Sequence, residues 1–477
     1  MTRLLTPLGV VVFVLLALFA GCASVFTWGS LRYDGPDGLL LRVRAEIAAL
    51  RPHPQFVPTP LAALSGAGQS RPTEDGGGPN DATSLLSADP FGLSAAPSPT
   101  PGAVSASPAL PDTAAKTDAE AVDTPPVFEE ASAASIPQQP AATPTSAHRE
   151  AQPSVALSDI THMWQKWNNC GPATLAMYIS HFGDILDQAG VAEALKGNKD
   201  DKNVSPHEMA AYARAKGFEA LVRVNGNDDR LRLFLSNGIP VLIETWLEEE
   251  PNNGMGHYRL VTGYDDAARE WIVFDSYVSK GVRTDRPYAG IRLSYEETDA
   301  LWAVFNRTYL VIHTDETAAL VHSILGEEAD DTVMWQNALR RAQKELRQTP
   351  EDPFAWFNLG TALVAFERWD DAVAAYEQAR IIGLPWRMLW YQFGPFEAYY
   401  QTGRYEELIA LADATIRTAG NIEETYYWKG MALAAQGRTG AARDAFRRAI
   451  ALNAHYDAPI QALAALNQPD RTGARTR

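Results

Sequence analysis

The sequence predicts a mixed α+β domain followed by an all-helical array of short repeats, both carried behind an apolar N-terminal segment and a long spacer. Three observations predict this. Between Ser158 and about Asp315, two helix signatures precede four strand-like runs, the segregated order of an α+β domain. From about Thr317 the apolar residues follow helical spacing in units that recur about every 35 residues, as stacked helix pairs do. From Arg51 to about Ser158 Pro, Ala, Ser and Thr dominate, with no Trp or Tyr between Tyr33 and Trp164. Such a composition cannot bury enough apolar surface to offset chain entropy.

The N-terminal segment, 1–28, carries no charge from Pro7 to Trp28, and Arg3 precedes the run. That length suffices to span a bilayer, and the order is that of a secretory signal or anchor. Phe19-Ala20-Gly21-Cys22 resembles a bacterial lipoprotein cleavage box, with Phe19 where Leu is usual. Either an uncleaved anchor or a lipidated Cys22 places the globular part outside the cytoplasmic membrane and tethered to it. Residues 29–50 read as a juxtamembrane segment. The spacer, 51–157, is expected to be disordered and to reach on the order of 50–60 Å.

Within the α+β domain, assigned to 158–316, a helix is expected from Cys170 or Gly171 to about Phe182. A second follows Ser205-Pro206-His207-Glu208, a capping box with Pro at the first helical position, and stops at Gly217. Strands are expected at Val241–Trp246, Tyr258–Tyr264, Trp271–Tyr277 and Thr308–His313. Asp265 to Glu270 reads as a hairpin loop joining the second and third of these.

In the helical part, assigned to 317–470 with a disordered tail at 471–477, Trp356-x-x-Leu359-Gly360-x-x-Leu363 precedes Ala372, Tyr376 and Ala379. Those are the spacings of the tetratricopeptide repeat. The unit recurs as Tyr399, Gly403, Leu408, Ala412 and as Gly430, Leu433, Gly437, Ala442, Phe446, Ala449. Pro395 falls where the second unit needs an apolar helix residue, so an irregularity is expected there. Repeats of this kind form extended binding surfaces, which implies a protein partner or a presented substrate. Trp386, Trp390, Tyr391, Tyr399 and Tyr400 read as repeat core, with some lining the concave side.

The net charge of −17 argues against a nucleic-acid partner, which needs clustered Lys and Arg. The two cysteines, Cys22 and Cys170, exclude a disulfide scaffold and a cysteine-rich zinc site. No cofactor or metal is implied. Cys170 stands at a helix start, where the helix dipole lowers a thiol pKa. A thiol nucleophile also needs a base and an orienting group. His257, in Gly254-Met255-Gly256-His257, begins a strand, and Asp275 lies on the strand expected to pair with it. Gln165, five residues upstream of Cys170, can supply a donor for a developing oxyanion. A buried small thiol and a structural histidine remain the plain alternatives.

Gln165 with Cys170-Gly171-Pro172-Ala173, Gly256-His257-Tyr258-Arg259-Leu260-Val261 through Gly263-Tyr264-Asp265, and Phe274-Asp275-Ser276 together resemble the papain-like family 39 of the cysteine peptidases. The resemblance covers about residues 158–315. It implies a papain-like α+β fold with Cys170 as nucleophile, His257 as general base, Asp275 as its orienter and Gln165 lining the oxyanion hole. Asn169 replaces the Asp usual before the cysteine, and the glutamine is usually six residues upstream. The expected activity is hydrolysis of a peptide bond in a peptide or protein substrate through a thioester. A papain-like amidase or transamidase shares that thioester, and a non-catalytic peptide-binding scaffold shares the fold.

Overall fold

The computed structural model describes Val57 and residues 148–468, apart from 251–252, 280–281 and 283–286. The N-terminal apolar segment, the juxtamembrane segment, most of the spacer and the C-terminal tail lie outside the described residues. Among the described residues no helix is long and apolar enough to cross a membrane.

The first domain is a seven-stranded antiparallel sheet with helices on both faces. Strand β1 (Ser154–Ala156) pairs with the end of β4, Ser154 opposite Asp265. Residues 148–157, expected in the spacer, therefore belong to the fold: Gln152 donates through its backbone to Ser236 Oγ at 3.0 Å. Val57, also in the expected spacer, is buried in the helical domain and donates to Leu384 O at 2.8 Å.

Helix α1 (Cys170–Ser180) is buried on all sides from Gly171 onwards. Its sequence explains this, since Ala173, Leu175, Ala176, Met177 and Ile179 leave no polar stripe. Helix α2 (Gln188–Leu195) follows, then α3 (Pro206–Ala215), whose predicted capping box is formed by Ser205 and Glu208. Such a cap contributes about 1 kcal/mol. Gly217, with φ of +92°, ends it in a conformation that favours glycine.

The remaining strands are β2 (Glu219–Arg223), β3 (Val241–Leu247), β4 (Met255–Asp265), β5 (Glu270–Asp275), β6 (Ile291–Ser294) and β7 (Tyr309–His313), in spatial order β2-β7-β3-β4-β5-β6. Their alternation divides the core. Leu242, Leu260, Leu310 and Ile312 face α1 and α3. Val241, Ile243, Val261, Val273 and Val311 face α4 (Asp228–Ser236) and α5 (Tyr295–Ala303). Helix α6 (Ala318–Leu325), placed by sequence in the repeat region, buries Val321, Ile324 and Leu325 in this second layer instead.

The helical domain starts with α7 (Asp331–Gln348) and continues as antiparallel pairs. The first pair is α8 (Pro353–Ala365) and α9 (Trp369–Ile382); the third is α12 (Glu423–Ala435) and α13 (Thr439–Leu452), capped by α14 (Asp457–Leu466). In each, a helix-A glycine lets the helix-B aromatic approach: a Cβ on Gly360 would come within 2.7 Å of the Tyr376 ring, and one on Gly430 within 2.5 Å of Phe446. The second pair, α10 (Gly394–Gln401) and α11 (Tyr405–Thr418), is the irregular one. Pro395 falls in the first turn of a short α10, where its missing N–H costs nothing, and a 3-10 segment at Trp386–Trp390 replaces the rest.

The two domains meet along a polar seam. The 196–204 loop of the first domain is held by Asn421, which donates to Asp200 O at 2.6 Å, and its own Asn198 donates to Leu452 O at 3.0 Å. Asn203 donates to Glu424 Oε1 at 2.8 Å, and on the helical side Asn453 holds Glu423 Oε1 at the same distance. At the other end Arg387 donates to the carbonyls of Asn253 and Gly254 at 2.9 and 3.2 Å.

Candidate active site

Cys170 begins α1, so the partial positive end of a fully buried helix faces its sulfur. The turn before it is tightly specified. Asn168 adopts a left-handed φ of +51°, which Asn tolerates better than most residues. Lys196, itself buried, donates from Nζ to Asn168 O and to Asn169 Oδ1, each at 3.2 Å. Burial brings the Lys196 ammonium down to about 8, despite nearby Asp201.

His257 lies near the start of β4. Gly254 is required there, because a Cβ would fall 1.9 Å from the Trp246 indole nitrogen. The β4–β5 register sets Arg259 opposite Asp275, and His257 sits two residues further along the same face. His257 Nε2 meets Asp275 Oδ1 at 3.0 Å, and Arg259 Nε donates to Asp275 Oδ2 at 3.0 Å. The backbone N–H groups of Tyr277 and Val278 also donate to Oδ1, both at 2.8 Å. Asp275 is wholly buried and His257 is 2% exposed.

With Nε2 committed to the carboxylate, the other ring nitrogen of His257 is left to serve Cys170, and the two side chains are hydrogen-bonded. Burial would drive the Asp275 carboxyl up, but His257, Arg259 and the backbone donors hold it well below the usual carboxylate range. Burial also opposes charge on His257; Asp275 and Cys170 overcome this and raise it to about 9. For Cys170, burial pushes the thiol up, while the His257 ring and the backbone at Tyr258 and Gly171 bring it below its ordinary value. Between the lowered Cys170 value and about pH 9, where His257 gives up its proton, the arrangement favours a thiolate–imidazolium pair, the form in which sulfur is nucleophilic.

Of the residues expected at the site, the fold brings Cys170, His257 and Asp275 together. Gln165 is placed on the neighbouring strand end: its N–H donates to Ser276 O and its Oε1 accepts from Ser276 Oγ, both at 2.8 Å. It does not line the cavity that contains Cys170. His162, read as a flanking residue, meets Asp275 O at 2.9 Å through Nε2 and stacks on Tyr288 at 3.5 Å between ring centroids.

Three participants were not anticipated. Arg259 could have been found, since its i+2 spacing from His257 puts both on one face of a strand. Glu244 lines the cavity from the centre of β3, but a single Glu in an apolar run carries no signal of what it faces. Tyr391 closes the cavity from the helical domain, and a Cβ on Gly256 would stand 3.2 Å from its ring. A contact between residues so far apart in sequence is set by domain docking alone. The cavity holds about 20 Å³, room for one water.

The model of the Peptidase_C39 like family matches residues 157–307. This chain carries a C39-like peptidase domain. Two tetratricopeptide models match 334–383 and 423–456, so the domain is followed by two recognised repeats, and the irregular pair lies between them. Among solved structures, the chain is similar to a Bacillus anthracis protein described as a C39-like peptidase, at 16% identity and a TM-score of 0.27, covering 34% of this chain and 98% of that one. It is similar to the peptidase domain of Streptococcus ComA, a bifunctional ABC transporter involved in quorum sensing, at 20% identity and a TM-score of 0.26, covering 33% and 100%. The helical part is similar to MamA from Desulfovibrio magneticus RS-1, at 18% identity and a TM-score of 0.26, covering 30% and 85%. No curated protein matches the chain.

Proposed function

We propose that the chain is a cysteine peptidase that hydrolyses a peptide bond through a thioester on Cys170. His257 is the general base and later the general acid, and Asp275 orients it. The observation that carries this reading is the His257 Nε2 to Asp275 Oδ1 bond at 3.0 Å, with the Cys170 side chain hydrogen-bonded to the same ring. The thiolate attacks the carbonyl carbon, and the imidazolium protonates the leaving amine. Water, deprotonated by the imidazole, then cleaves the thioester. Gln165 keeps the oxyanion-donor role that its position five residues before Cys170 suggests; its Oε1 is held by Ser276 Oγ, which leaves the donating amide nitrogen for that part.

The uncharged run from Pro7 to Trp28 supports a membrane tether, either as an anchor or through a lipidated Cys22, with the globular part outside the cytoplasmic membrane. Tetratricopeptide repeats commonly bind proteins. Tyr391 in the cavity favours a repeat domain that helps to hold substrate at the cleft.

The test is the rate of Cys170 modification by a thiol-directed electrophile from pH 4 to 9, in the native chain and in His257→Ala. Fast labelling well below the ordinary thiol range, slowed in the variant, supports the peptidase. Slow labelling that rises only near pH 8.5 in both would replace it with the non-catalytic scaffold. Detergent-phase partition of the native chain and Cys22→Ser tests the tether.

A further inference from the structure

Two polar atoms beside Cys170 lack a hydrogen-bond partner among the described residues: Oε2 of Glu244 and Nδ2 of Asn168. Both residues line the cavity that Cys170, Gly171, Tyr258 and Tyr391 also line. Glu244 is only 3% exposed and sits at the centre of β3, opposite Tyr258 of β4. Buried polar groups left unpaired are destabilising, and those that persist call for an explanation. Here one orphan is an acceptor and the other a donor.

We propose that Asn168 and Glu244 read the amide group offered to Cys170, Asn168 Nδ2 donating to its carbonyl oxygen and Glu244 Oε2 accepting its N–H. The inference rests on Cys170 being the nucleophile and names the ligand class of that site: a neutral carboxamide, in the backbone or on a side chain. An ester lacks the N–H. A carboxylate lacks it too and adds a negative charge beside the thiolate. An ammonium has no acceptor for Asn168. The remaining charged lining residue, Lys202, is already paired with Asp200 at 2.9 Å. Burial, with the Cys170 sulfur beside it, pushes the Glu244 carboxyl up to about 8. It is therefore largely uncharged at neutral pH and does not oppose the thiolate there; with the proton on Oε1, Oε2 is the carbonyl oxygen and accepts the N–H.

The full chain is treated at pH 7 with iodoacetamide, which presents a carboxamide, and with methyl methanethiolsulfonate, which presents none, and modification is read at the Cys170 peptide. The variants are Glu244→Met, Glu244→Gln and Asn168→Gly, the last keeping the left-handed backbone without the amide. The iodoacetamide-to-methanethiolsulfonate rate ratio is expected to fall about tenfold in Glu244→Met and Asn168→Gly, with the methanethiolsulfonate rate preserved. Glu244→Gln keeps an acceptor oxygen and recovers part of the ratio. An unchanged ratio in both deletion variants overturns the amide pair, whatever the absolute rates. An ordinary thiol in every protein overturns the peptidase reading, and the ratio is still readable at pH 9. A peptide mixture separates the two sources: ammonia release marks a side-chain carboxamide, and new N-termini mark the backbone. Either product supports the pair if it drops in both deletion variants and refutes it if it does not.

Discussion

Arg259 and Asp275 stand directly across the β4–β5 ladder from one another, and their side chains close a buried ion pair at 3.0 Å. His257 shares the same carboxylate from two residues away. Removing Asp275 therefore strands two buried groups. Asp275→Ala is expected to lower stability by about 3–5 kcal/mol, whereas Asp275→Asn retains the shape and loses mainly activity. Because the folded-state pKa is depressed, the contribution is complete above about pH 4 and drains away as pH falls through the depressed value. Urea titrations at pH 7, 4 and 2.5 on native and Asp275→Asn chains check this, and curves that stay parallel would count against it.

The thiolate–imidazolium pair gives a bell-shaped rate profile. Its lower limb belongs to Cys170, held below the ordinary thiol range, and its upper limb falls near pH 9 with His257. His257→Ala is expected to cost about 10²- to 10⁴-fold in turnover and to remove the upper limb. The check is kcat/KM against pH once a substrate is found, with Cys170→Ala as the blank.

The seam between the domains should loosen as pH rises. Asp201 and Glu208 on one side meet Glu423 and Glu424 on the other, and burial together with mutual repulsion raises them, Glu208 to about 7 and Glu423 to about 8. A raised acid pKa means that folding takes up protons. The seam is thus tightest at low pH and weakens from about pH 4.3 up to about 8. Of the facing cations, Lys202 is paired with Asp200, and Lys196, brought down to about 8, acts in the opposite sense only above that pH. Glu423→Gln with Glu424→Gln should flatten the decline in Tm between pH 5 and 8. An unaltered slope would sink the idea.

Tyr391 is expected to limit access to the sulfur. Tyr391→Ala should speed modification of Cys170 by a bulky maleimide by about tenfold, while small methanethiolsulfonate changes little, since the Tyr391 ring lines the cavity from the helical domain. Equal acceleration of both reagents would point to a loosened fold instead.

The sequence announced the helix of Cys170, the capping box at Ser205 and the β4–β5 hairpin because each depends on residues close in the chain. The pairing of His257 with Asp275 was legible for the same reason: hairpin register follows from loop length. The short strand β2 and helices α2 and α4 were not foreseen, because their apolar residues gain a face only against the finished sheet. The 148–157 segment with strand β1 was hidden by a spacer-like composition, and Glu244 by its apolar neighbours. Helix α6 looked like repeat from its periodicity alone; its partners, Leu231 and Phe234 of α4, decided otherwise.

The Tyr391 wall also bears on how such a protein could be inhibited. A compound shaped without regard to the repeats would not be fitted to the Tyr391 ring that lines the cavity here. One that stacked on that ring while capping the sulfur would find no matching surface on a domain without repeats. Selectivity would then come from the junction of the domains, and a screen would have to be run on the undivided chain.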